Sequence, residues 1–125
     1  MRYMLLFHYV EATEEDLGTE AMAAGRKAFA SYAATLEQAG ILVSGQVLQP
    51  SSASTTITMA DGEPRIQDGP FADTKEQLAG TFVIEVPDLD AALAWAEQCP
   101  GAHYGVVEIR PSAIVFKDGA WRPQT

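Results

Sequence analysis

The chain has 125 residues, 47% of them hydrophobic, which suits one domain (1–125) burying about two thirds of its unfolded surface and leaves no room for a disordered reading. Eight basic against 17 acidic residues give a net charge of −9, which argues against nucleic acid, where Lys and Arg must neutralise phosphates, and against docking on an anionic membrane. A single cysteine, Cys99, forms no internal disulfide; with no signal peptide and no apolar run of ~20 residues, the chain reads as cytoplasmic.

Arg2 to Tyr9 predicts a central strand, because Tyr3, Leu5, Phe7 and Tyr9 share one face while Met4, Leu6 and His8 share the other. Residues 10–18 are acidic and read as loop. Thr19 is the expected N-cap of a helix reaching Ala39, with Met22, Phe29, Tyr32, Ala33 and Leu36 forming its buried stripe and Gly40 ending it. A second strand spans Ile41 to Leu48, broken by Gly45, and a third spans Ser54 to Met59. Asp61-Gly62 is a two-residue hairpin signal that returns the chain through Arg65, Ile66 and Gln67, and Pro64 places this hairpin at an edge.

The next strand is expected over Thr81–Val86. Asp88 then caps a helix with the apolar stripe Leu89, Ala92, Leu93 and Ala96, which Pro100-Gly101 stops. Val106 to Arg110 reads as the last regular strand, followed by local pairing at Ile114–Phe116 and a turn at Lys117-Asp118-Gly119 into a frayed end. The order βαβ, hairpin, βαβ predicts an α+β, ferredoxin-like domain: a mainly antiparallel sheet, two helices on one face and an inserted hairpin. Its other face carries Met4, Leu6, Val83 and Val106, so burial against a second copy, a homodimer, is expected.

Between the hairpin and the fifth strand lies Asp68-Gly69-Pro70-Phe71-Ala72-Asp73-Thr74-Lys75-Glu76-Gln77-Leu78. Gly69 tolerates positive φ and Pro70 locks its own, so the side chains after this turn can be held in a set direction. The first four residues and their continuation resemble the DGPF proteins of the YciI-like group. Met1–Leu6, Gly40–Gly45, Glu85–Ala92 and Val107–Pro111 resemble other parts of the same family, so the likeness covers nearly the whole chain. The resemblance implies the dimeric α/β-barrel type of ferredoxin-like fold. It also implies a protein partner linked to extracytoplasmic-function sigma factors, with whose genes DGPF genes are often associated. Some YciI-like members carry a His–Asp pair suggestive of acid–base chemistry. Here Arg26, Lys27 and Phe29 occupy the corresponding first-helix region and Cys99 stands before Pro100, so that pair is not carried over.

Candidate catalytic residues are His8, Asp68 and Asp73; candidate ligand-binding residues are Asp68, Phe71, Asp73, Lys75 and Glu76. The two aspartates suit a base, Lys75 an anion-holding cation, and Glu76 either carboxylate role. The competing reading makes Asp68 a turn residue and Asp73 or Thr74 an N-cap, with Lys75 and Glu76 in water. His8 could act as a pocket acid or base, or sit satisfied in the core or a dimer interface. His103 reads as solvent-facing, and Cys99 and Trp95 as packing. No phosphate loop, nucleophile elbow or metal-ligand spacing is present, so no cofactor and no metal are expected; the functional expectation is a small-molecule pocket with enzymatic activity undecided, the alternative to plain binding being a cofactor-free acid–base enzyme.

Overall fold

The computed structural model describes residues 1–124. Strand β1 (Arg2–Tyr9) sends Tyr3, Leu5 and Phe7 into the core and Met4, Leu6 and His8 to the other face, as alternation predicts. The acidic stretch that follows contains a one-turn helix, α1 (Glu14–Leu17), in place of the expected loop. Thr13 and Asp16 make it: Thr13 Oγ1 accepts from the Asp16 N–H at 3.1 Å and Asp16 Oδ2 accepts from the Thr13 N–H at 3.1 Å. The Thr13 N–H foremost, and the Thr13 hydroxyl second, hold the Asp16 carboxyl below its ordinary range.

Helix α2 (Thr19–Gln38) starts directly after α1, so Gly18 takes the N-cap position and Thr19 is its first helical residue rather than its cap. Tyr32 and Leu36 are buried, whereas Met22 and Phe29 are half-buried, so the stripe is deepest at the C-terminal half. After it come β2 (Leu42–Val47), in which Gly45 is an internal position rather than a break, and a 3-10 turn at Ser51–Ala53. Strands β3 (Thr55–Ala60) and β4 (Glu63–Asp68) form the inserted hairpin as a separate two-stranded sheet. Its turn residues Asp61 and Gly62 have φ of 52° and 78°, the positive pair that a type I′ turn demands. Pro64 pairs opposite Met59 with no further strand beside it, which is why the missing N–H is tolerated.

Strand β5 (Gln77–Glu85) begins four residues before the expected Thr81. Helix α3 (Leu89–Ala96) is capped by Asp88, whose Oδ1 accepts from the Ala91 N–H at 2.9 Å. It buries Ala92 and Ala96, while Leu89 and Leu93 of the expected stripe stay 49% and 43% exposed. Strand β6 (Val106–Pro111) completes a four-stranded sheet of order β2-β5-β1-β6, antiparallel at every pairing. The expected frayed end is instead a second hairpin, β7 (Ile114–Lys117) and β8 (Ala120–Pro123), turning on Asp118-Gly119 with φ of 52° and 77°. This arrangement is α+β and consistent with a ferredoxin-like fold. Core residues from α2 and α3 belong to one cluster with Tyr3, Leu5, Phe7, Phe82 and Ile84 of the sheet. No helix among the described residues is long and apolar enough to cross a membrane.

Phe7 is the hub of that cluster. Its ring lies 5.0 Å from that of Phe29 and 5.6 Å from that of Phe82, centroid to centroid. It occupies the space that a side chain at Gly80 would need: a Cβ there would strike the Phe7 ring and the Gln46 carbonyl. Gly80→Ala is therefore expected to cost about 1–3 kcal/mol in a denaturant titration, as overpacked cores do. A neutral result would show that β2 and the ring yield freely.

Tyr32, 5% exposed, donates its hydroxyl to the Trp95 carbonyl at 2.8 Å. Burial foremost, and nearby Cys99 second, push its phenol far above the ordinary value near 10. The folded chain then keeps a proton that the unfolded chain releases, so this contribution is complete below pH ~10 and is lost as the pH climbs from there. In Tyr32→Phe the melting temperature should fall less steeply above about pH 10, after a cost of about 1 kcal/mol at neutral pH for the lost hydrogen bond. An equally steep alkaline loss in the variant would place the sensitivity in other groups.

Candidate functional site

A groove of about 940 Å³ opens beside the C-terminal end of β1. One wall is the segment Leu48–Thr56, which carries the chain from β2 to the hairpin; the other is Pro70–Leu78. Hydrogen bonds hold both in place. The Leu48 N–H donates to the Ala79 carbonyl at 2.7 Å, and the Gly69 N–H closes the hairpin base on the Ser54 carbonyl at 2.8 Å. The Ser51 N–H donates to Glu11 Oε2 at 3.0 Å, which ties the 3-10 turn to the chain leaving β1. On the opposite wall, the Thr74 hydroxyl donates to the Glu76 carbonyl at 2.7 Å and Gln77 Nε2 to the Thr74 carbonyl at 2.8 Å.

The groove brings together His8, Phe71, Lys75 and Glu76. Asp68 and Asp73 are not among its lining residues: Asp68 ends β4, paired with Thr55, and Asp73 lies exposed beyond the turn. No helix begins at Asp73 or Thr74, so the capping alternative fails as well. The wall Leu48–Thr56 is what sequence reasoning missed. Its Ser51-Ser52 and Ser54-Thr55-Thr56 hydroxyls, next to Pro50, were the available signal, since a polar turn preceding a hairpin is a place where a second wall can form.

Phe71 is 98% exposed, a phenyl ring standing in water at the rim. Lys75 is exposed and has no carboxylate within ion-pair distance among the described residues. His8 sits differently. Its side chain is 28% exposed, yet Nε2 is sealed from solvent and has no hydrogen-bond partner. The nearest carboxylate is Glu108 of β6, whose Oε1 lies 3.8 Å from Nε2, too far for a hydrogen bond. Glu108 is shared with Arg110, at 3.6 Å. The His8 neighbour with acid–base potential is thus on β6 rather than in the Asp68–Leu78 run.

On the helix side of the sheet, Cys99 is fully buried and burial raises its thiol, while Gly101 and Ala102 N–H groups pull the other way. Tyr9 and Tyr104 meet edge-on at 5.3 Å, and burial raises both phenols. Cys99 and Trp95 pack in or against the core, and His103 is exposed in a 3-10 turn, as the sequence suggests. Among the described residues no three His, Cys, Asp or Glu side chains gather at metal-binding range.

An uncharacterised protein of Rhizobium meliloti (strain 1021) is 42% identical over 74 residues, 58% of this chain and 59% of the relative, so the match spans less than two thirds of that protein's length. Residues 1–113 match the family model described as the YCII-related domain. With nearly the whole chain inside that match, the chain belongs to the YCII-related family.

Proposed function

We propose that this is a cytoplasmic, dimeric protein that binds a small organic carboxylate in the groove at the end of β1. The groove itself carries the reading: its volume of about 940 Å³ lies in the range of small-molecule sites, and it sets apolar surface among hydroxyl, amide and charged side chains. Leu48, Pro50, Pro70, Phe71 and Leu78 supply apolar surface, and Lys75 supplies an unpaired cation for an anionic end. Covering Phe71 would recover about 1.5–3 kcal/mol of hydrophobic free energy. Binding is favoured over catalysis because Nε2 of His8 is sealed away from solvent and its closest carboxylate, Glu108 of β6, is not part of the groove lining.

Dimerisation is supported by the open sheet face. Met4 pairs with Val83, and Val106 with His8, so their side chains share that face; Met4 and Val106 are 36% and 50% exposed. Ser44, Gln46 and Arg110 flank them as a polar rim, the usual anatomy of a protein–protein interface. The resemblance to dimeric DGPF proteins points the same way. A lone buried thiol at Cys99 suits a reducing compartment.

Thermal-shift screening against a panel of aromatic and aliphatic carboxylates should find compounds that stabilise the wild type. Phe71→Ala and Lys75→Ala should each weaken such a hit about tenfold or more, since a charge-assisted contact or a buried ring is worth about 1.5–3 kcal/mol. Hits that bind both variants as tightly as the wild type would refute the groove as the site. Light scattering at micromolar concentration should report a dimer that Val83→Glu converts to monomer; a monomeric wild type would remove the pairing.

A further inference from the structure

A second cavity, of about 290 Å³, lies where the C-terminal hairpin meets the beginning of β1 and the end of β5. It is lined by Arg2, Glu85, Val115, Lys117, Arg122 and the Pro123-Gln124 end. Three of the chain's eight basic residues therefore converge at one point of a protein whose net charge is −9. Local excess of one sign in a concave site concentrates counter-charge even when the whole molecule repels it.

The partners already in place do not neutralise this cluster. Glu85 is engaged by Arg2 through Nε at 3.4 Å and by the Met1 amine at 3.3 Å. Lys117 and Arg122 have no carboxylate within 4.0 Å among the described residues. Arg122 is held instead through its own Nε, which donates to the Lys117 carbonyl at 3.1 Å. That bond restrains the guanidinium beside the cavity and leaves the Nη amines to donate, and a planar fork of donors is the geometry that matches a phosphoryl group. The hairpin turn at Asp118-Gly119 puts Lys117 and Arg122 on one face, because Arg122 pairs with Val115, two residues before Lys117 on the same strand.

We propose that this cavity is a phosphoryl-binding site, held by Arg122, Lys117 and Arg2, and separate from the groove. The two lie at opposite ends of β1: His8 is six residues along the strand from Arg2, about 20 Å at the usual rise. The cavity holds the equivalent of about ten waters, more than a bare phosphate fills, so a phosphate monoester of a small molecule is the class it fits.

Inorganic phosphate and phenyl phosphate are the probes, titrated calorimetrically at low ionic strength against sodium chloride of matched ionic strength. The wild type should bind both, phenyl phosphate more tightly, while Arg122→Ala and Lys117→Ala lose on the order of tenfold or more in affinity and Arg122→Lys retains part of it. Both residues are exposed, so the variants should keep the wild-type circular dichroism spectrum. Equal heats with chloride, or phosphate affinities unchanged in the two alanine variants, would overturn the site. A thermal stabilisation by phosphate that is the same in wild type and variants would be the general solvent effect of that salt and would count against the proposal too. Lys75→Ala leaves this binding unchanged if the two sites are separate; loss of phosphate binding in Lys75→Ala would move the anion site to the groove.

Discussion

The position of the groove depends on the placement of one ring. Phe7 is fully buried between the α2 side chain Phe29 and the β5 side chain Phe82, in a space that exists because residue 80 has no side chain. Gly101 adds to the fit, since a Cβ there would come within 3.2 Å of the Phe7 Cβ. The ring therefore joins β1, β5, α2 and the turn after α3 at a single point. The pairing of β1 with β5 shifts by a residue between Phe7 and His8, immediately beyond it. With Phe7 committed to the core, the pleat sends His8 to the opposite face, where it lines the groove.

That constraint also explains which parts of the fold were legible in the sequence. Alternation in β1, the Asp61-Gly62 turn and the Asp88 cap are local signals with local causes, and they read correctly. Strand β5 reads too short because Gly80 and Ala79 look like a break. Their meaning is tertiary: both are buried, and the missing side chain at Gly80 is filled by a residue 73 positions away in sequence. Leu89 and Leu93 mislead for a related reason. Helix α3 turns its alanines inward, and small side chains let it lie close against the sheet while the leucines remain outside. By contrast, the Thr13-to-Asp16 capping box is as readable as its counterparts elsewhere, but the acidic composition around it reads as loop; the Lys117-Asp118-Gly119 turn reads correctly, while the strand that returns from it is hidden by its closeness to the chain end.

The sites divide along the same line. Phe71, Lys75 and Glu76 share a rigid turn with Asp68 and Asp73, but adjacency in sequence does not put all five on one wall. Asp68 is drawn into β4 by pairing with Thr55, and the wall facing Phe71 comes from residues some twenty positions earlier. The basic cavity is less legible still. Arg2, Lys117 and Arg122 are unremarkable one by one, and only the second hairpin, folding back beside the first strand, makes them neighbours.

His8 links the two halves of the functional reading. It lines the groove, and it also stands on the open sheet face opposite Val106, with Glu108 of the neighbouring position on that face at 3.8 Å. A second copy covering this face would remove water from around Glu108 and Arg110, and a charge pair in a lower dielectric interacts more strongly than one in solvent. The field at His8 would rise with it. The two-stranded hairpin β3–β4 faces the same physical problem, since Ile57 and Ile66 pair on one side of it and are each 65% exposed. Its base, at Ser54 and Gly69, is also the frame of the groove. Covering the hairpin would therefore stiffen the wall that a ligand touches, and covering the sheet would set the charge environment of the histidine beside it. In the proposed dimer, assembly and ligand binding would therefore act on the same few residues.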